Sequence, residues 1–264
     1  MTRMQLKMPR TARQKSITGV YHIILRGTNR GEVFHDDEDK DIFLKIIYKY
    51  KKIIKFKVYG WCLMDNHVHL LMEEGQEPLS KIMKRIGVSF VSYYHAKYNT
   101  TGHLFQDRYK SENVETTEYL MTVIRYIHQN PVKSGLIIHA CDWKWSSCEG
   151  YYTNRIYPYS LLDRSLILGL FSSDYETSIK GFKEFNEAQN QDKCLDDTVR
   201  KKLTDEEARM EINKLLSGVN IAQIKSFKAD KRDELIKRIK GIGGVSQRQI
   251  ARITGLSHSL ISRK

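Results

Sequence analysis

The sequence predicts an α+β fold, an antiparallel sheet carrying helices, followed by an α-helical C-terminal region. Three observations lead there. Between residues 20 and 130, extended and helical runs follow one another in the order β-α-β-β-α-β, with a further helix at the end. Two of the extended runs are joined by Asp65-Asn66, a tight-turn signal that makes them a hairpin. After about residue 152 aromatic residues thin out, charge rises and several helical patterns appear.

Taken in order, Val20–Arg26 reads as a strand, and Gly27-Thr28-Asn29-Arg30-Gly31 ends it with turn formers. Residues 36–55 open with acidic side chains and place Ile42, Ile46, Ile47, Tyr50 and Ile54 at helical spacing. Residues 56–64 and 67–72 are the two arms of the hairpin. Pro78 opens a helix through about Lys97, and residues 99–102 break it. Residues 104–114 read as a strand, and 116–130 as a helix stopped by Pro131. That order is the split βαβ, ferredoxin-like arrangement, with helices expected on one face of the sheet.

The chain has 264 residues, with 44 Lys+Arg against 31 Asp+Glu, a net charge of +13. The length is enough for about two domains, and 41% hydrophobic with 10% aromatic residues excludes a disordered tail. No apolar run approaches the ~18–20 residues of a membrane span. No apolar stretch follows the basic N-terminus as in a secretory signal. A soluble, cytoplasmic protein is the expectation. Cys62, Cys141, Cys148 and Cys194 form neither a CxxC pair nor zinc-ribbon spacing, so reduced thiols are expected. The positive excess favours a polyanionic partner, nucleic acid first.

In the C-terminal part, Thr204-x-x-Glu207 is a capping box before Met210, Ile212 and Leu215. Residues 225–264 hold 11 Lys+Arg against 3 Asp+Glu, a net of +8. Within them, residues 246–257 read as a capped helix, a turn at Gly255, and a second helix starting at Ser257, with Ala251 and Ile253 as packing positions. This is helix-turn-helix spacing, and it offers Arg248 and Arg252 to duplex DNA. The second helix stops at Lys264, short for a recognition helix, which reads as a truncated end. The expected division is therefore a catalytic domain over 1–152, a helical connecting region over 153–220 and a DNA-binding module over 221–264.

Two constellations bear chemistry. In His67-Val68-His69, strand alternation puts both imidazoles on one sheet face, about 6–7 Å apart, where they can converge on a divalent cation. An HxH pair alone is more often a pair of hydrogen-bonded surface histidines. In Tyr126-Ile127-His128-Gln129-Asn130, positions i and i+4 share a helix face, so the Tyr126 hydroxyl and the Asn130 amide lie on one stripe. Asn130 offers a carbonyl oxygen as a third ligand. The chain has 15 tyrosines, and most such residues merely pack. Together, however, a metal on two histidines and an amide, with a phenol on the next element, make a phosphodiester cleavage site. A phenol of pKa about 10 needs that help, and a phosphotyrosine keeps the energy for rejoining.

Four runs then carry a resemblance: Tyr21-His22-Ile23-Ile24-Leu25-Arg26-Gly27-Thr28-Asn29-Arg30; Met64-Asp65-Asn66-His67-Val68-His69-Leu70-Leu71; Phe105-Gln106-Asp107-Arg108-Tyr109; and Arg125-Tyr126-Ile127-His128-Gln129-Asn130-Pro131-Val132-Lys133-Ser134-Gly135-Leu136. In this order, over residues 17–152, the chain resembles the single-tyrosine HUH transposases, specifically the branch associated with repetitive extragenic palindromes. The resemblance implies a ferredoxin-like core, a metal pair at His67 and His69 completed by Asn130, and Tyr126 as nucleophile. It implies magnesium or manganese as the ion. It also implies cleavage of single-stranded DNA at imperfect hairpins through a 5′-phosphotyrosine.

Arg26, Asn29, Arg30, Arg108 and Lys133 are the polar residues expected around DNA, with Tyr21, Phe105 and Tyr109 as base-stacking platforms. Trp143-x-Trp145-Ser146-Ser147 reads as a packing clasp that closes the domain. The expected function is a metal-dependent strand transferase acting on hairpin-bearing single strands, with a duplex-binding module, associated with the bacterial nucleoid; monomer or dimer is left open. Two alternatives compete: a domesticated DNA-binding regulator that keeps the fold without strand transfer, and a metal phosphodiesterase that uses water and needs no Tyr126.

Overall fold

The computed structural model describes residues 14–153, 155, 157–158, 160–195, 203–216, 220–242 and 244–263. The basic residues 1–13 and Lys264, on which the readings of the chain ends rest, lie outside them. The chain divides into two compact units, residues 1–196 and 197–264.

Unit 1 begins β1 (Val20–Arg26), α1 (Asp37–Ile54), β2 (Lys57–Met64), β3 (His67–Glu73), α2 (Leu79–Tyr98), β4 (Lys110–Asn113), α3 (Thr117–Lys133). Local chemistry sets these bounds. The Asp36 side chain accepts the Asp39 amide to start α1, three acids fill its first turn, and Lys55 ends it in the left-handed region. Thr116 starts α3 by accepting the Tyr119 amide at 3.1 Å.

Two elements depart from expectation. The strand expected over 104–114 is reduced to β4, because Asp107 accepts the Arg108 amide at 2.7 Å in a turn. Only Phe105 pairs, by a single bridge to Gly27. Pro131 does not stop α3 but sits in its last turn, which runs to Lys133. It removes one backbone donor, and the end is closed instead by Ser134 and Leu136 amides donating to the Asn130 and Pro131 carbonyls at 3.0 Å each.

The sheet is antiparallel throughout, in the order β2-β3-β1-β4. Helices cover both of its faces, not one. Nearly every residue of β1, β2 and β3 is buried, which a sheet with a wet face does not allow. On one face α3 comes so close that a Cβ at Gly60 would stand 2.3 Å from Ile124 Cδ1. Ile23, Leu25, Val68 and Leu70 point to the other face, in the same core as α1 and α2. There Phe43 of α1 meets Phe90 of α2 edge to face at 5.1 Å.

The rest of unit 1 is α4 (Cys148–Tyr152), α5 (Ser165–Gly169) and α6 (Tyr175–Glu187). Residues expected to form a connecting region thus belong to the first unit. α6 packs on α3, α4 and α5, and Phe182 stacks on Tyr151 at 4.4 Å. The tryptophan run is the clasp the sequence implied. Trp143 Nε1 donates to the Leu63 carbonyl at 3.0 Å, and Trp145 Nε1 to Asp37 Oδ1 at 2.9 Å. The Leu63 and Ser147 amides add bonds to the Trp145 and Trp61 carbonyls.

His128 lies at the centre of this packing, fully buried, 2.8 Å from Ser147 Oγ and 3.1 Å from Asn186 Oδ1. Burial pushes its pKa down to about 4. As pH falls through about 6.5, the unfolded chain therefore takes up a proton that the folded chain refuses, and stability present above that pH is lost on the way to pH 4. This one group should cost about 2 kcal/mol at pH 5. Urea unfolding at pH 7.5 and 5.0 should show a loss of stability in the wild type that is smaller by about this amount in His128→Gln, the buried His22 and His69 supplying the part that remains. An unchanged pH dependence in the variant would remove His128 from the account.

Unit 2 contains α7 (Asp205–Leu216), α8 (Ala229–Lys240), α9 (Gln247–Thr254) and α10 (His258–Arg263). Ala208 and Ile212 share one core with Ile236, Ile239, Ile250, Ile253 and Ile261. α7 therefore folds with the three helices that follow it. The Thr204 and Glu207 capping box forms, as does a second one between Ser246 and Gln249. Gly255 ends α9 at φ 66°, a conformation that disfavours any side chain. No described helix is long and apolar enough to cross a membrane. The four cysteines are unpaired.

Candidate active site

β1 and β3 set the floor of the site. Their register pairs Ile24 with His69 and Arg26 with His67, so that alternation puts His22, Arg26, His67 and His69 on the sheet face that α3 covers. From α3, Tyr126 and Asn130 come down onto the same spot. The His67 and His69 rings are 5.0 Å apart between centroids, and the Tyr126 ring stands 5.7 Å from His69. Asn130 Nδ2 lies 3.3 Å from His69 Nε2. Four side chains from two distant stretches of sequence thus converge.

Hydrogen bonding fixes how the imidazoles present themselves. Asn66 Oδ1, 2.6 Å from His67 Nδ1, accepts a proton there and leaves the His67 lone pair on Nε2. His22 Nε2 stands 3.0 Å from His69 Nδ1. With the Asn130 amide facing Nε2, the His69 proton is assigned to Nδ1 and donated to His22. Both histidines of the pair then offer Nε2. Burial keeps His69 well below the usual histidine range, helped by the neighbouring His22, His67 and Arg26, and pushes His22 down to about 3. Both are neutral at neutral pH.

His22 was not among the expected site residues. In sequence it stands 47 positions from His69 and carries no spacing signal. Only the β1 to β3 register brings it there. Asn66, expected as a turn residue, also orients His67.

Of the residues expected around DNA, Lys133 lies at the site, its Nζ 4.7 Å from the Tyr126 ring centroid. Arg26 is half-buried beside His67 in the register, and Asn29 and Arg30 are exposed in the turn that follows. That turn is stitched to the loop carrying Arg108. The Thr28 amide donates to the Leu104 carbonyl and the Gln106 amide to the Arg26 carbonyl, both at 2.9 Å. Arg108 is exposed. Tyr21, by contrast, is a core residue whose hydroxyl accepts the Ser16 amide at 2.9 Å. Tyr109 is buried and Phe105 packs toward Phe90 at 6.4 Å, so none of the three is an open platform. In unit 2, Arg248 is exposed, while Arg252 is held by both Asp205 oxygens at 2.5 and 2.6 Å.

Among the described residues, no group of three or more His, Cys, Asp or Glu is placed to hold a metal. The set at hand differs in kind: two imidazole nitrogens and an amide, whose oxygen replaces its nitrogen on a flip of Asn130. All three are neutral, which fits an ion whose remaining positions go to water and phosphate oxygens.

Over residues 16–130 the chain matches the family model described as "Transposase IS200 like". This segment is similar to the IS200-like transposases. The matched segment includes β1 through most of α3, and therefore both histidines, Tyr126 and Asn130. A "REP-associated tyrosine transposase" of Escherichia coli (strain K12) is 25% identical over 114 residues, 42% of this chain. The match spans 66% of that relative's length. A solved structure of a REP-associated tyrosine transposase bound to a REP hairpin is similar with a TM-score of 0.48 and 20% identity, covering 60% of this chain and 98% of that one. The transposase resemblance read from the four sequence runs stands for this segment; unit 2 lies outside it.

Proposed function

We propose that unit 1 is a metal-dependent single-stranded DNA endonuclease and strand transferase. The observation that carries this reading is the meeting of Tyr126 and Asn130 with His67 and His69 on one covered sheet face. Tyr126 Oη attacks a phosphodiester phosphorus, the bond to the 3′ oxygen breaks, and that oxygen leaves with a proton as a 3′-hydroxyl. The 5′ end stays on Tyr126 as a phosphotyrosine, and attack by a 3′-hydroxyl reverses the step.

A bound magnesium or manganese ion would make the phosphate a better electrophile and steady the leaving oxygen. His67 and His69 would hold it through Nε2, Asn130 through Oδ1, and His22 keeps His69 in the required tautomer. Lys133, over the Tyr126 ring, would bind the phosphate brought to it. Arg26, Asn29, Arg30 and Arg108 would bind backbone phosphates around it. The similar proteins are tyrosine transposases, one of them bound to a REP hairpin, and hairpin-bearing single strands are the substrate proposed here. Such a substrate places the protein at the nucleoid, in the cytoplasm.

The test is direct. An end-labelled hairpin oligonucleotide with a single-stranded flank should acquire the protein's mass in a denaturing gel when manganese is present. Cleavage without an adduct would replace this reading by hydrolysis with water.

Unit 2 supplies duplex affinity in this reading, through α9, the Gly255 turn and α10, the spacing of a helix-turn-helix. Because α7 shares its core, the module to remove is 197–264 rather than 221–264. Deleting it should weaken duplex binding and flatten its salt dependence, by about 0.9 in log–log slope per lost phosphate contact. Hairpin cleavage should be spared. A shortened protein that melts normally and binds duplex as tightly as the full chain would refute the module.

A further inference from the structure

Residues 185–192, at and beyond the end of α6, run alongside α3 outside the segment matched by the transposase family. They bind three α3 side chains. Arg125 makes a two-pronged pair with Asp192, Nε to Oδ2 at 2.7 Å and Nη2 to Oδ1 at 3.0 Å, both side chains mostly buried. Its guanidinium also lies 4.1 Å over the Phe185 ring. His128 faces Asn186 Oδ1 at 3.1 Å. Gln129 donates to the Asn186 carbonyl at 2.6 Å and accepts from Asn190 Nδ2 at 2.7 Å. Arg125 and Gln129 are each followed directly by a site residue, Tyr126 and Asn130, about 100° around the helix.

We infer that residues 185–192 are a strap that positions the nucleophile helix, with Asp192 and Arg125 as positioning residues for the transfer step. The sheet fixes His67 and His69 through backbone ladders, whereas α3 can rotate or slide on side-chain packing alone. A planar guanidinium held at both prongs against a ring permits neither. The Tyr126 hydroxyl therefore keeps one reach toward the histidine pair, and an error of about 1 Å there is worth about a hundredfold in rate. The functional unit accordingly extends past residue 152 to the strap.

The inference rests on Tyr126 being the nucleophile, and the test separates the two. In the full-length protein, Asp192→Ala should slow single-turnover adduct formation about 10- to 100-fold, with the Kd for the hairpin oligonucleotide within about threefold, since the strap offers DNA no phosphate contact. Asp192→Glu, which keeps the carboxylate, should recover most of the rate. Hydrogen exchange of amides 117–133 should accelerate in Asp192→Ala relative to those of β1 and β3. An Ala variant that forms adduct at the wild-type rate, or loses rate only in proportion to hairpin affinity, overturns the strap. So does unchanged exchange in α3. A wild type that forms no adduct defeats the transferase reading, while the exchange measurement still decides whether the strap holds the helix.

Discussion

Tyr126→Phe should abolish nicking and adduct formation, a loss of about a thousandfold or more, because the substitution removes the attacking atom itself. The ring is 6% exposed, between His22, His69 and Lys133, and phenylalanine fills the same space. The fold should therefore be kept. DNA affinity should stay within about threefold, since it comes from phosphate contacts spread over the rim rather than from one hydroxyl. Single-turnover cleavage of a labelled hairpin, with binding measured on the same oligonucleotide, checks both halves. A Phe variant that nicks at a comparable rate would take the nucleophile role from Tyr126.

Chelation should produce a loss of similar size, restored by manganese at lower concentration than magnesium, because imidazole nitrogen suits the hard, oxygen-seeking magnesium ion poorly. His67→Ala should lose manganese binding and activity with the melting temperature nearly unchanged, the side chain being only half-buried. His69→Ala should lose both and also destabilise the fold by about 1–3 kcal/mol, since it leaves His22 Nε2 buried without its partner. Asn130→Ala should be milder, with both imidazoles in place. Calorimetric titration with manganese separates these effects from loss of folding. Full activity in chelator would exclude the metal from the reaction.

The two histidines and the tyrosine were legible because their relations are local. Alternation in a strand puts His67 and His69 on one face whatever the strand pairs with, and a helix turn does the same for Tyr126 and Asn130. The Trp143 to Ser147 clasp was legible as packing, though not its partners on β2 and α1. Elsewhere local rules misled. A proline reads as a helix stop, yet at Pro131 the last turn survives because donors beyond it reach the exposed carbonyls. Residues 104–109 have strand-like apolar content, but at Asp107 the chain bends and the side chain takes the Arg108 amide, so that pairing there stops at the Gly27–Phe105 bridge.

Residue types and short spacings alone determined the order of elements, the hairpin, the capped helices and the two local pairs, His67 with His69 and Tyr126 with Asn130, because each depends on neighbours within a turn or a pleat. Only the tertiary structure decided that β3 lies beside β1, which brings His22 to His69 across 47 positions. It alone decided that α3 covers the histidine face, and that Asp192 grips Arg125 across 67. These choices follow from burying both faces of one sheet together, a global packing requirement to which no single stretch of sequence answers.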